Sequence, residues 1–144
     1  MKKLIFSFLT LYVSAFIFAQ DANATKPTKE DFFYTWVTTM NEEKTRLGGK
    51  TTVEITFLNE SSYTYFNKAL YKTPKQNYTI SSWKEAVNTY QDVEEYPYGF
   101  RISFKPSKKS QPPDIAVFMN ADKTKFLYVL DIGFYTDLEI YIKK

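Results

Sequence analysis

The strongest constraint in this chain is a period-two alternation of apolar and polar residues that recurs from residue 33 to the C-terminus. Val53, Ile55 and Phe57 alternate with Glu54 and Thr56, while Phe100, Ile102 and Phe104 alternate with Arg101, Ser103 and Lys105. Ile115, Val117 and Met119 form a further set, and Phe126, Tyr128 and Leu130 another. In the last, Leu138, Ile140 and Ile142 alternate with Glu139, Tyr141 and Lys143. Successive side chains of an extended chain point to opposite faces, so each run reads as a strand with one buried face. Shorter runs at Tyr63–Phe66 and Tyr78–Ser82, with one at Phe33–Met40, bring the expected strands to eight. Asn59-Glu60-Ser61-Ser62 and Asn120-Ala121-Asp122-Lys123 carry the residue types that turns favour.

Eight short strands joined by short connections predict an all-β fold, an eight-stranded antiparallel up-and-down barrel. Closure removes the unpaired edges that an open sheet would expose. One segment allows a different start. Thr28 to Leu47 would place Phe33, Trp36, Val37, Met40 and Leu47 on one side of a helix, begun by Thr28-x-x-Asp31 and stopped by Gly48-Gly49. Against it, Tyr34-Thr35-Trp36-Val37-Thr38-Thr39 is a run of strand formers. The adopted reading is a short helical turn over 28–33 followed by a strand. The alternative is an α+β fold, an N-terminal helix on a curved antiparallel sheet.

The N-terminus has a separate character. Lys2 and Lys3 precede an apolar run from Leu4 to Phe18, with small residues at Ala19, Ala22 and Ala24. This is the three-part pattern of a signal peptide, with cleavage expected after Ala19 or Gln20. The run is short for a membrane span of roughly 20 residues, and a polar segment follows it. The domain division is thus a signal peptide over 1–20, a polar linker over 21–30 and one barrel domain over 31–144. Lys2 and Lys3 are two of the 19 basic residues, and without them the net charge falls from +3 to +1. So balanced a surface gives no reason to expect nucleic acid as a partner. Absent cysteine, an exported chain of this size fits a bacterial envelope, periplasmic or secreted.

The chain contains neither cysteine nor histidine. That excludes disulfides, thiolate nucleophiles, Ser-His-Asp catalysis and imidazole-ligated metals. Carboxylates are the acids that remain. Glu42-Glu43 and Glu94-Glu95 fall in expected loops, whereas Asp137 and Glu139 share one strand face and are the pair a hydrolase would use. Asp92, Glu94 and Glu95 lack calcium-loop spacing. No catalytic residue, metal or cofactor is therefore expected. An outer-membrane barrel is also rejected, because Glu54, Thr56, Arg101, Ser103, Lys105, Glu139 and Lys143 lie opposite the apolar stripes and read as facing water.

Phe33-Tyr34-Thr35-Trp36-Val37, after a short helical turn, resembles the opening of the exported bacterial lipocalin-like barrels, with Tyr34 where glycine is usual. Ile55-Thr-Phe-Leu-Asn-Glu-Ser-Ser-Tyr-Thr-Tyr65 is similar to the family's strand–turn–strand. Tyr78-Thr-Ile-Ser-Ser-Trp83, Tyr96-Pro-Tyr-Gly-Phe100 and Phe118-Met-Asn-Ala-Asp-Lys-Thr124 also look like small members, and the likeness spans 28–144. Lys143 and Arg101 are the two candidates for the basic residue that packs over the tryptophan in that family. The resemblance implies a calyx holding a small apolar ligand, with Trp36 at its floor.

Such a barrel is either filled or holds one small ligand. Trp36, Val53, Ile55, Phe57, Ile80, Phe100, Ile102 and Phe104 are the expected inward set. The expected ligand contacts are Trp36, Phe57, Tyr65, Tyr78, Phe104 and Tyr128, since tyrosine joins ring area to one hydroxyl. Trp83, on the opposite parity from Ile80, is expected to close a barrel end. In the 84–99 loop Tyr90, Tyr96 and Tyr98 are candidate protein contacts, and Lys105, Lys108 and Lys109 read as solvated surface. The function expected is that of an exported, non-enzymatic binding protein. A protein-interaction or inhibitor-type barrel with a filled core is the alternative. The expected partner is a small hydrophobic molecule or an envelope protein, and the chain is expected to be a monomer without stable membrane insertion.

Overall fold

The computed structural model describes residues 25–40, 51–68 and 74–144. The expected signal peptide, residues 21–24 of the linker, the Glu42-Glu43 pair and the Gly48-Gly49 stop lie outside them. A single 3-10 turn, Lys29–Phe32, precedes eight strands. These are β1 (Thr35–Met40), β2 (Thr51–Asn59), β3 (Ser62–Asn67), β4 (Gln76–Val87), β5 (Tyr98–Phe104), β6 (Ile115–Met119), β7 (Lys125–Asp131) and β8 (Thr136–Lys143). Each strand pairs antiparallel with the next, and β8 returns to β1, so the sheet is a closed up-and-down barrel. Residues 28–40 therefore take the turn-then-strand course rather than the helical one.

The 3-10 turn forms because Asp31 accepts the Thr28 backbone N–H at 2.8 Å, and it ends at Phe33, which packs against Trp83 just before β1. It lies under the barrel and pushes Phe32 upward into it. The Phe32 ring meets Phe57, Trp83, Phe100 and Phe126 at centroid distances of 6.3, 6.1, 6.0 and 5.8 Å. The Trp36 indole N–H donates to the Phe32 carbonyl at 3.0 Å. Ion pairs from Lys123 to Asp31, at 2.8 Å, and from Lys29 to Glu60 fasten this plug to the β6–β7 and β2–β3 turns. One end of the barrel is closed.

The inward face matches the sequence pattern on β1, β2, β3, β5, β6 and β7. Trp36, Val53, Ile55, Phe57, Ile80, Phe100, Ile102 and Phe104 are all buried in one core. Two strands depart from the pattern. β4 runs on to Val87, paired with β5 as far as Tyr98, rather than ending near Ser82, and its register shifts between Ile80 and Ser82. A bulge of this kind adds one residue and flips the faces beyond it. Trp83 thereby turns inward opposite Ile102, and its indole N–H donates to the Glu60 carbonyl at 2.8 Å. It closes the plugged end, as expected, but from the same inward face as Ile80 rather than the opposite one.

The second departure is a correction. In β8 the apolar residues Leu138, Ile140 and Ile142 face outward and are exposed, while Asp137, Glu139 and Tyr141 face the interior. Pairing with β7 leaves no freedom here: Leu130, Tyr128 and Phe126, all inward, stand opposite Asp137, Glu139 and Tyr141. Lys143 follows on the same face at the plugged end but is exposed to solvent. Its ammonium sits 3.2 Å from the Tyr34 ring centroid and 5.8 Å from that of Trp36. Of Lys143 and Arg101, it is Lys143 that covers the tryptophan. On β2 and β5, Glu54, Thr56, Arg101 and Ser103 lie on the outer face, as expected.

A second small core lies outside the barrel. Residues 88–97 fold back over β5, β6 and β7 and bury Tyr96 against Ala116, Phe118, Leu127 and Val129. Among the described residues no helix is long and apolar enough to cross a membrane.

Candidate functional site

The interior is filled at the plugged end and open at the other. At the plugged end the rings of Trp36, Phe57, Phe126 and Tyr141 interlock, with Trp36–Phe126 at 4.9 Å and Phe126–Tyr141 stacked at 5.2 Å. Higher up is a cavity of about 250 Å³. This is small beside the ~300–1,000 Å³ of sites for drug-sized ligands, so any occupant is compact.

Two unlike walls enclose it. On one side Tyr63, Tyr78 and Phe104, from the consecutive strands β3, β4 and β5, form a triangle of rings with centroids 5.2 to 5.8 Å apart. Tyr65 and Gln76 extend that wall toward the rim, where the Tyr78 hydroxyl donates to the Gln76 side chain at 2.6 Å. On the other side β7 and β8 supply Tyr128, Leu130, Asp137 and Glu139. In an eight-stranded ring β4 stands opposite β8, so rings face carboxylates across the cavity. Pro112 and Pro113, from the β5–β6 loop, complete the rim.

The electrostatics follow from burial. Desolvation first, then neighbouring phenols, holds the Tyr63 hydroxyl well above the ordinary phenol range. Tyr65 is raised by burial and then by the Glu139 carboxylate, against an opposing hydrogen bond with Asn67. Tyr128 is raised by burial, by Tyr65 and by Glu139, and Tyr141 by burial and then Glu139. Charging a phenol in a dry site costs free energy, and a nearby carboxylate adds to that cost. The tyrosines are thus neutral donors and acceptors in a negative field. The Tyr141 hydroxyl donates to Glu139 Oε2 at 3.0 Å and fixes that carboxylate from below.

Of the six residues expected to touch a ligand, the fold brings Tyr65, Tyr78, Phe104 and Tyr128 to the cavity. Trp36 and Phe57 are fully buried beneath it. Asp137 and Glu139 join the lining together, though they were singled out only as a possible hydrolytic pair. Tyr63 also lines it, and its place next to Tyr65 on the period-two face was the available signal. Tyr90, Tyr96 and Tyr98 do not form one surface. Tyr96 is 2% exposed in the outer core and Tyr90 packs against that core. Tyr98 lies beside a separate surface hollow with Lys26 near its ring at 5.6 Å. Lys105, Lys108 and Lys109 are exposed on the β5–β6 loop.

The architecture defines a class: a closed antiparallel barrel with a plugged floor and a tyrosine-lined mouth. Comparison with family models, with curated proteins and with solved structures returned no match.

Proposed function

We propose that this protein is an exported, non-enzymatic binding protein of lipocalin-like type that holds one small molecule in the mouth of its barrel. The observation that carries the reading is the half-filled interior. Packed rings end at Tyr63 and Tyr128, and above them lies the ring-lined cavity of about 250 Å³. Mostly apolar walls with a few convergent polar groups suit ligand binding. The open upper half also favours this reading over an interaction barrel with a filled core. Binding is preferred to hydrolysis because Asp137 and Glu139 approach from one wall, whereas glycosidase acids flank the bond they cleave. Export rests on the pattern over residues 1–20.

The test is a thermal-shift and tryptophan-fluorescence screen with compact apolar molecules and a hydrophobic dye. Uptake that raises the melting temperature, and that is weakened at least about tenfold by Tyr78→Ala or Tyr128→Ala, supports the reading. Each of those rings is worth roughly 1.4 kcal/mol or more of contact if so. An absence of uptake across the panel sinks it.

A further inference from the structure

We propose that the open end of the barrel docks on the surface of an anionic lipid bilayer. The tip of the β7–β8 hairpin enters the interface and the tip of the β5–β6 loop meets the headgroups, whether or not the cavity is filled.

The two tips stand on one end of the molecule. β5 ends at Phe104 and β7 at Asp131, and the chain returns into the sheet at Ile115 and Thr136. Pro112, Pro113, Leu130 and Asp137, from these loops and the adjoining strand ends, line the mouth of the cavity. The plug closes the opposite end. The bases of the two loops are two strand spacings apart, about 10 Å.

Each tip is a tight turn of fixed shape. The Ile132 N–H donates to the Tyr135 carbonyl at 3.0 Å, which leaves Gly133 and Phe134 as the two tip residues. Asp131 Oδ1 accepts the Gly133 N–H at 3.0 Å, and Gly133 takes the positive φ of 89° that the first tip position uses. Backbone geometry explains the glycine but not its neighbour. Turns favour Gly, Pro, Asn, Asp and Ser, whereas the Phe134 ring is 93% exposed, with Ile132 and Tyr135 exposed beside it. Phe134 projects past the last hydrogen-bonded pair of the hairpin, so closing the barrel does not cover it. Contiguous exposed apolar groups of this kind mark an interaction site.

The neighbouring tip supplies the sign of the partner. The Ser107 N–H donates to the Ser110 carbonyl at 2.9 Å and the Ser110 N–H to Ser107 Oγ at 3.1 Å, so Lys108 and Lys109 are the tip residues. Both are exposed, as is Lys105 where the loop begins. None of the three forms an ion pair with another described residue. Asp114, the one acid of that loop, lies at its far end against β6. Aromatic rings settle at the membrane–water interface, and lysines are drawn to an anionic leaflet. An apolar tip beside a doubly basic one matches a layer that is negative at its surface and apolar just beneath. Two copies of this chain meeting end to end would instead gather both pairs of lysines in one interface, which like charge opposes.

The test is co-sedimentation with large vesicles of the protein purified from cells expressing the full chain, its N-terminus read by mass spectrometry. One set of vesicles is phosphatidylcholine alone and the other an equal mixture with phosphatidylglycerol. Affinity for the mixed set should be at least about tenfold higher and should fall as salt is raised. Phe134→Ser should weaken it at least about tenfold. Lys108→Gln combined with Lys109→Gln should remove most of the preference for the anionic set, and neither change should move the melting temperature. Phe134→Trp gives a readout that needs no loss of binding, since its emission should shift to the blue when mixed vesicles are added, against a wild-type signal from Trp36 and Trp83. Residues 4–18, if retained, would bind lipid by themselves, so vesicle binding that survives both tip variants overturns the proposal. Absence of vesicle binding, or of the blue shift, does the same. Self-association without lipid that Phe134→Ser abolishes would assign the tip to a second copy and also overturn it.

Discussion

The Tyr141 ring lies flat on Phe126, 5.2 Å between centroids and 7° between planes. Tyr141 is fully buried, and its place inside fixes which face of β8 enters the barrel. Because side chains alternate, Glu139 and Asp137 follow it inward, and Ile140 and Leu138 are left outside. The acidic wall of the cavity is thus a consequence of one aromatic stack two residues away.

Tyr141→Ala should be among the most damaging substitutions in the chain. It removes a ring held between Phe126 and Tyr128 and leaves a void that the closed sheet cannot collapse. A loss of about 3–5 kcal/mol is expected by urea or guanidinium denaturation. Tyr141→Phe keeps the stack and deletes only the hydrogen bond to the Glu139 carboxylate, so its loss should be about 1.5–3 kcal/mol.

The outer face of β8 gives the complementary prediction. Ile140 is 42% exposed, although its neighbours in sequence suggest a core position. Ile140→Thr should change stability by no more than about 0.5 kcal/mol, as surface substitutions do. A loss several times larger in equilibrium denaturation would mean that Ile140, not Glu139, points into the barrel.

Gly99 is required by close approach of two strands. A Cβ built there would lie 1.7 Å from the Val117 carbonyl oxygen and 2.7 Å from the Phe118 Cα, both backbone atoms. Gly99→Ala must therefore push β5 away from β6 at the point where Gly99 pairs with Phe118. We expect a loss of about 3 kcal/mol or more, the upper part of the range for overpacking, read from the denaturation midpoint.

The seam where the barrel closes should respond to acid. Among the described residues, the β1–β8 ladder pairs Trp36 with Lys143 and Val37 with Ile142. Beside it, Lys144 reaches Glu54 at 2.9 Å and Lys68 reaches it at 3.5 Å. The hydrogen bond from Lys144 holds the Glu54 carboxyl below its ordinary 4.5 against the opposing effect of burial, with Lys68 assisting. A carboxyl lowered in the folded state stabilises it above the unfolded value, and that contribution fades as pH falls through the folded value. Wild-type protein should therefore lose more stability than Glu54→Gln between neutral pH and about pH 3. At neutral pH the variant should be weaker by about 0.5–1 kcal/mol. Equal acid sensitivity of the two proteins would remove Glu54 from the seam.

Much of this molecule is written in the alternation of its residues. The eight strands, their antiparallel order, the turns at 59–62 and 120–123 and the inward faces of six strands follow from period two and turn chemistry. Four cavity residues, Tyr65, Tyr78, Phe104 and Tyr128, follow from the same pattern. What a sequence read strand by strand lacks is the constraint of the neighbouring ladder. The bulge after Ile80 reverses the faces of β4 within one residue, and no local preference at Ser81-Ser82 announces it. On β8 hydrophobicity alone points the wrong way, since Leu138, Ile140 and Ile142 outscore Asp137, Glu139 and Tyr141. Tertiary structure decided that strand through hydrogen-bonded registry with β7 and the burial of one large ring. The sequence by itself determined that the chain closes into an aromatic barrel. Only the closed ring of strands decided that two carboxylates stand inside it, because a strand's face is chosen by the partners it must match and not by its own polarity.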